Sequence, residues 1–296
     1  MRVIIAFLIL CAFSCSSKKT VVEKQSPEKV VIDSLIITKV PDATEKQVPP
    51  PLTQSVSENV GKVPKENNTI PPPPEPPKLI AVKDQFDHAR WHKILQKHVS
   101  ENGKVDYLGI KNSMDLDVYI DMITHTMPND TWTKSEKLAY WINAYNALTI
   151  DLILRNYPIK SIKDIKDPWG QRFWQFGDKW LNLNYIEHNI LRKMDEPRIH
   201  FAIVCASDSC PKLLNEAYTA SDSESQLTKA TKDFLNDKSK NEINSNSLKL
   251  SKIFKWFAND FKQNGSLIDF LNKYSEITIS ENAKKSYKDY NWELND

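Results

Sequence analysis

Apolar residues recur at helical spacing through the last two thirds of the chain. Trp91, Ile94 and Leu95 fall on one face and predict a helix over residues 84–99. The same pattern predicts a shorter helix over residues 114–123. Two further helices are predicted, over residues 221–236 and 252–263. These helices need a shared core to cover their apolar faces.

The strongest helical pattern runs over residues 133–155. Thr133 is followed three residues later by Glu136, a capping box that starts a helix, and the pattern ends just before a proline. Apolar residues cover more than one face, which predicts a buried central helix. A buried amide without a hydrogen-bond partner costs about 1–3 kcal/mol. Asn143 and Asn146, which lie on this helix, therefore either line a pocket or fasten the backbone of a neighbouring loop.

Alternating apolar and polar residues predict short strands between the helices. Strands are expected over residues 179–183, 198–204 and 247–250, and a helix capped by Asn184 over 185–194. Residues 169–176 are rich in aromatic side chains and are expected to form a loop. Helices and short strands in this irregular order are typical of the α+β class. We predict one α+β domain over residues 80–296, with a buried central helix and a small, mainly antiparallel sheet.

The amino terminus has the pattern of a signal peptide. Arg2 precedes an apolar run over residues 3–12, about half the length that a membrane-spanning helix needs. Cys15 follows the small residue Ser14, which resembles the site where lipoproteins are cleaved and acylated. We therefore predict a lipoprotein signal peptide over residues 1–14 and lipidation of Cys15; a plain secretory signal is the alternative.

The composition of residues 15–79 differs from that of the rest. Twelve of the 17 prolines lie before residue 80, and no Phe, Trp or Tyr occurs between Ser16 and Gln85. Such a segment has too little apolar bulk to offset the entropy cost of folding. It is predicted to be a disordered, proline-rich tether that holds the domain away from a membrane.

The charge pattern narrows the classes of partner. The formal net charge is +2, and no basic block stands beside aromatic residues, so nucleic acid is not an expected partner. The expected contacts are the membrane, through the lipid anchor, and a ligand or protein of the cell envelope. The anchor predicts a location at the outer membrane or the periplasmic face of the envelope. No cofactor is expected.

Several segments carry a family resemblance. Residues 137–147, 185–192 and 198–211 resemble, in order, the domain of unknown function 547, and residues 250–254 and 290–295 resemble its closing motifs. The resemblance covers most of residues 90–295. It implies an exported bacterial protein but no particular activity, because none is established for the family. Tyr290 and its neighbours are expected to clamp the carboxyl terminus onto the domain.

Chemically reactive side chains cluster between residues 187 and 210. One hypothesis is a cysteine-dependent hydrolase or acyltransferase of papain-like or transglutaminase-like type. Its nucleophile would be Cys205, with His188 or His200 as the base and Glu187 orienting that base. Asn143 or Asn146 would give polar support. No cysteine begins the central helix, where those enzymes place their nucleophile.

Two other roles remain open for the same cysteines. In an oxidising compartment Cys205 and Cys210 are expected to form a disulfide, because the four residues between them can make a turn. That bond suits a binding or scaffolding domain, which is the leading prediction. Its pocket would be lined by Trp141, Tyr145, Trp174, His200, Asn143 and Asn146. The third role is a zinc site with His188, His200, Cys205 and Cys210 as ligands.

Overall fold

The computed structural model describes residues 84–296. The predicted signal peptide, the predicted acylation site Cys15 and the predicted tether lie outside the described residues.

Three helices begin the domain. They are α1 (Ala89–His98), α2 (Tyr107–Lys111) and α3 (Asp115–His125). Helices α1 and α3 confirm the two predicted there, with shifted ends. Helix α2 was not predicted, because five residues carry too little periodicity; it begins where the Asp106 carboxylate accepts a hydrogen bond from the Gly109 amide at 2.8 Å.

Helix α4 (Lys134–Asn156) is the centre of the domain. Its capping box forms as predicted: Thr133 Oγ1 accepts from the Glu136 amide, and the Glu136 carboxylate accepts from the Thr133 amide at 2.7 Å. Every residue from Leu138 to Ile153 is buried. A helix buried on all sides is the main support of a core, so the predicted central helix is confirmed.

A hairpin and a mixed helix follow α4. Strands β1 (Trp174–Phe176) and β2 (Lys179–Leu181) pair antiparallel, so part of the predicted loop is a strand. The next segment begins as α5 (Leu183–Tyr185) and continues as a π-helix (Ile186–Ile190) and a 3-10 helix (Leu191–Met194). Its cap is Asn182, whose side chain accepts from the Tyr185 amide at 2.7 Å; the prediction of Asn184 was wrong.

The strand predicted over residues 198–204 is absent. Pro197–Phe201 form a 3-10 helix instead. The proline at its first position has the fixed φ that suits a helix start, and the Glu196 carboxylate accepts from the Arg198 amide at 3.1 Å. Apolar and polar residues alternate in this segment, but they do not lie alternately in the core and in solvent. His200 is as buried as its apolar neighbours.

The carboxyl-terminal part adds helices and a second sheet. Its helices are α6 (Ser223–Asn236), α7 (Ile253–Trp256) and α8 (Leu267–Tyr274), with a 3-10 helix at Asp260–Lys262. The helix predicted over 252–263 is therefore two shorter ones. The sheet has the order β3 (Glu242–Ile243), β4 (Ser247–Leu250), β5 (Lys284–Tyr287). Strands β3 and β4 are antiparallel, and β4 and β5 are parallel.

These elements confirm the α+β class. Two of the three strand pairings among residues 84–296 are antiparallel, as predicted. One core cluster surrounds α4, and a second joins the 3-10 helix at Pro197–Phe201 to α6, α7 and α8. In the part of the chain that the structure describes, no helix has the length and apolar character needed to cross a membrane.

Candidate functional site

Two asparagines of α4 fix the loops on either side of the site. Asn143 donates to the Tyr218 carbonyl at 2.7 Å and accepts from the Tyr218 amide at 2.9 Å. Asn146 makes the same pair of bonds with the Ala202 carbonyl and the Val204 amide, both at 2.9 Å. Each side-chain amide therefore donates one hydrogen bond to backbone and accepts one from it. Asn146 binds the backbone just before Cys205. Of the two predicted roles, lining a pocket and fastening a neighbouring loop, the structure shows the second.

The other residues predicted to line a pocket are also buried in the core. Trp141 packs against Phe176 with ring centroids 5.6 Å apart, and the Trp174 indole donates to the Asp151 carboxylate at 2.6 Å. Tyr145 is 2% exposed. Trp141 and Tyr145 therefore stabilise α4 and its neighbours from within the core, whereas Trp174 also lines a surface cavity together with Phe173 and Trp180, and a ligand pocket formed by the predicted residues stays a prediction.

The two cysteines meet in a tight turn over residues 205–210, which we call the cysteine loop. Both are free thiols, and their sulfur atoms lie 2.8 Å apart. The Cys205 amide donates to the Cys210 sulfur at 2.9 Å. Ala206 has a φ of 55°, in the left-handed region that residues with a Cβ seldom adopt. Cys205 is partly exposed, whereas Cys210 is buried.

The surroundings of the two thiols differ. Ser207 Oγ lies 3.1 Å and the Tyr290 hydroxyl 3.2 Å from the Cys205 sulfur. Burial acts to raise the pKa of Cys205, but the hydrogen bonds from Cys210, Ser207 and Tyr290 outweigh it, so this pKa is lowered. Burial and the neighbouring thiol raise the pKa of Cys210 well above its usual range. These directions favour the thiolate of Cys205 over that of Cys210.

The last residues of the chain lie directly on the cysteine loop. The Asp208 amide donates to the Glu293 carbonyl at 2.7 Å, and the Ser209 amide to the Asn291 carbonyl at 3.1 Å. The Asn291 amide donates back to Ser209 Oγ at 2.8 Å. Residues 290–295, the C-terminal segment, thus form the clamp that the sequence predicts.

Both candidate bases belong to a separate charged cluster of His188, Arg192, His200 and Asp260. Arg192 donates to both oxygens of Asp260, at 2.6 and 2.7 Å, and to His188 Nδ1 at 2.7 Å. His200 Nε2 lies 2.8 Å from Asp260 Oδ2. In the described residues neither histidine makes a hydrogen bond to Cys205. The predicted cysteine–histidine pair is therefore not formed as a contact.

Glu187, the predicted orienter, contacts a tyrosine instead of a histidine. It accepts from the Tyr145 hydroxyl at 3.3 Å through Oε2, while its buried Oε1 has no hydrogen-bond partner among the described residues. Burial raises the pKa of Glu187 to about 7, against a smaller lowering by Tyr145 and Arg192. The side chain can therefore hold a proton near neutral pH.

The four predicted zinc ligands do not converge. His188 and His200 make hydrogen bonds with Arg192 and Asp260, respectively, and the two free cysteine thiols are in hydrogen-bond contact with each other. Within residues 84–296 no group of three or more metal-ligating side chains is arranged to hold an ion. The zinc hypothesis is not supported by this arrangement.

Sequence reasoning missed an aromatic surface beside the cysteine loop, formed by Trp169, Trp256, Tyr290 and Trp292. Trp292 is 4.6 Å from Tyr290, 5.8 Å from Trp256 and 5.9 Å from Trp169, measured between ring centroids. Trp256 is 46% exposed. The Lys163 ammonium lies 5.1 Å from the Trp292 ring centroid. Three distant segments supply these rings, so no local pattern could reveal them.

Fold and site together define an α+β domain with a paired-cysteine loop beside the aromatic surface, in which Trp256 is exposed and the other three rings are partly buried. Residues 129–235 match the model of the family described as "Protein of unknown function, DUF547". The resemblance is thereby confirmed for the stretch from the start of α4 to the end of α6, which contains the cysteine loop. No curated protein and no solved structure shows significant similarity to the chain.

Proposed function

We propose that the chain is an exported lipoprotein of the cell envelope whose domain binds an envelope partner through the aromatic surface. The signal-like residues 1–14 and the cysteine at position 15 support the anchor. Burial of acyl chains contributes about 0.8 kcal/mol per methylene, so two or three chains on Cys15 hold a protein stably on a bilayer. The proline-rich residues 15–79 then give the domain reach from the membrane.

The observation that carries the binding role is the aromatic surface itself. Contiguous apolar rings at the surface of a soluble domain mark interaction sites. Tyrosine and tryptophan are enriched at such sites because they bring a large contact area and a polar group together. The Lys163 ammonium beside Trp292 adds a positive charge at the rim. A partner with flat apolar groups and an acidic edge fits this chemistry.

Cell fractionation tests the anchor. The Cys15→Ser variant is expected to leave the membrane fraction and to lose the mass of the acyl chains. Cys11→Ser changes the other cysteine of the signal-like region and is expected to behave as the native chain. Membrane retention of unacylated Cys15→Ser protein would refute the lipoprotein assignment.

Site-specific photocrosslinking in cells tests the binding surface. A photoreactive residue at Trp256 is expected to give one saturable adduct, which Trp292→Ala abolishes. The control position is Trp180, which is 51% exposed on strand β2 and lies outside the aromatic surface. Equal crosslinking from both positions, or none from Trp256, would contradict the proposal.

We also propose that the cysteine loop becomes a disulfide in an oxidising compartment. The sulfurs of Cys205 and Cys210 are 2.8 Å apart, and a disulfide has an S–S distance of about 2.05 Å, so closure needs a shift of less than about 1 Å. Such a bond would pin the turn on which the C-terminal segment lies. The intact mass of the alkylated protein, measured with and without prior reduction, tests this proposed disulfide.

A cysteine-dependent hydrolase or acyltransferase is the second candidate, and the observation in its favour is the lowered pKa of Cys205. Such a mechanism also needs a group that takes the proton of the thiol and gives it to the leaving group, and the two histidines are held in the charged cluster. Incubation with activated esters tests it. An acyl adduct on Cys205 that His188→Ala or His200→Gln slows would support this candidate; an adduct independent of both would exclude it.

A further inference from the structure

We infer that Cys205 and Cys210 form a thiol–disulfide exchange site, in which Cys205 attacks a disulfide of a partner molecule and Cys210 resolves the mixed disulfide. The inference rests on the proposed disulfide between the two cysteines and deepens it: the bond is made and broken as part of an exchange reaction. The substrate class is a disulfide or dithiol, on a protein or a small thiol compound. It does not depend on the binding role of the aromatic surface.

The first support is the different exposure of the two residues. Cys205 is partly exposed, whereas Cys210 is 6% exposed. An exchange site needs this asymmetry. The partner disulfide must reach the attacking thiol from solvent, and the resolving thiol must lie close enough to the attacking sulfur to break the mixed disulfide. The 2.8 Å separation places the Cys210 sulfur within reach of the Cys205 sulfur that it attacks in the second step.

The second support is the set of donors around Cys205. The hydroxyls of Ser207 and Tyr290 lie within 3.2 Å of its sulfur, and the Cys210 thiol completes the set. Donors at these positions stabilise a thiolate more than a thiol, and the thiolate is the nucleophile in exchange. The lowered pKa of Cys205 agrees with this geometry. A disulfide with a purely structural role has no need of these donors.

The third support is the backbone amide of Cys205, which donates to the Cys210 sulfur at 2.9 Å. In the free dithiol this bond orients Cys210 toward its neighbour. When Cys210 loses its proton in the resolving step, the same N–H stabilises the charge on its sulfur. The loop therefore serves both halves of the reaction: side-chain hydroxyls act on Cys205, and a backbone amide acts on Cys210.

The exchange balances without a further reagent. The Cys205 thiolate attacks one sulfur of the partner disulfide, breaking the S–S bond, and the released partner thiolate takes a proton from water. Cys210, after giving its proton to water, attacks Cys205 Sγ and releases the second partner thiolate, which is protonated in turn. The partner gains two electrons and two protons, and the cysteine pair loses them. The reverse sequence passes the bond to a partner dithiol.

The experiment uses the full acylated chain in detergent, with glutathione disulfide as the probe. After reduction, alkylation by iodoacetamide is followed by mass spectrometry across pH. We expect Cys205 to react about tenfold faster than Cys210 at neutral pH. The pH at which its alkylation rate is half-maximal should lie below about 8.5, the pKa of an ordinary thiol. Ser207→Ala should raise that pH. Ser209→Ala is the matched control, because its hydroxyl accepts from Asn291 and makes no hydrogen bond to Cys205.

A resolving-thiol variant tests the second step. Cys210→Ser is expected to accumulate the Cys205–glutathione mixed disulfide, whereas the native pair passes through it and releases both glutathione thiols. The native chain should also change from dithiol to disulfide as the ratio of oxidised to reduced glutathione rises. Circular dichroism of each variant checks that the fold is retained. The glutathione titration uses the native chain, so its result does not depend on whether a variant folds.

Failure of the exchange site is distinguishable from failure of the disulfide. A bond that forms between Cys205 and Cys210 but stays oxidised at every glutathione ratio, with no mixed disulfide in Cys210→Ser, would overturn the exchange inference and leave the structural bond standing. Two thiols that never oxidise and react equally slowly with iodoacetamide would overturn both.

Discussion

The hydroxyl of Tyr290 lies 3.2 Å from the sulfur of Cys205, although 85 positions separate the two residues in the chain. The contact makes the C-terminal segment part of the thiol's environment. The Tyr290 ring also belongs to the aromatic surface, with its centroid 4.8 Å from that of Trp256. One residue therefore joins the reactive loop to the exposed surface beside it.

Removal of residues 290–296 is expected to lower the melting temperature by about 5 °C or more. The deletion leaves the Asp208 and Ser209 amides without the carbonyls that accept from them, and it removes from the core the side chain of Leu294, which is 5% exposed in the intact chain. Differential scanning calorimetry of the shortened and native chains measures the change. An unchanged thermal transition would refute the clamp.

Asn146→Ala is expected to reduce the free energy of unfolding by about 2 kcal/mol or more. The change leaves the Ala202 carbonyl and the Val204 amide buried without their partner. Asn156→Ala is the control, because Asn156 is exposed and its side chain donates only to the Leu152 carbonyl of its own helix. Urea unfolding measures the free energy of unfolding of both variants. Equal losses in the two variants would contradict the role of Asn146 in fastening the backbone before Cys205.

Stability is expected to fall as pH rises from about 4.5 to 7, through Glu187. Its pKa is raised from 4.5 in the unfolded chain to about 7 in the fold. In that window the folded state holds more protons, so rising pH lowers the free energy of unfolding. Urea unfolding at pH 5 and pH 8 should show a smaller difference in Glu187→Gln than in the native chain. The exposed Glu101→Gln should match the native chain.

The opposite dependence is expected from His88, which is buried with Nδ1 2.7 Å from the Tyr119 hydroxyl. Burial lowers its pKa from 6.5 to about 4, against a smaller opposing effect of Asp87. Below pH 6.5 the unfolded chain binds the extra proton, so stability falls as pH drops toward 4. His88→Gln should weaken this acid sensitivity. If His88→Gln and the exposed His125→Gln behave alike, the assignment to His88 is wrong.

Local sequence signals predicted the elements that depend on local interactions. The capping box of Thr133 and Glu136 located the start of α4, because both partners lie within one turn. The alternating pattern over residues 198–204 wrongly predicted a strand, because both sides of this segment are buried. There a proline and the Glu196 side chain start a 3-10 helix, and these local features overrule an alternating pattern.

The site was predictable only in part, for the same reason. Cys205 and Cys210 are close in the chain, so their pairing could be inferred from spacing. Asp260, which binds both Arg192 and His200, is 60 positions from that histidine and carries no motif. The ion pair it forms removes the histidines from the cysteine chemistry that sequence proximity suggested.

The central claim is that the cysteine loop carries a bond that forms and exchanges. The most direct measurement is the thiol state of Cys205 and Cys210 in the full chain, isolated from an oxidising compartment and analysed by mass spectrometry before and after treatment with reduced glutathione. We expect one disulfide joining these residues, opened by the treatment to two thiols that alkylate at different rates. Two free and equally unreactive thiols in the untreated protein would contradict it.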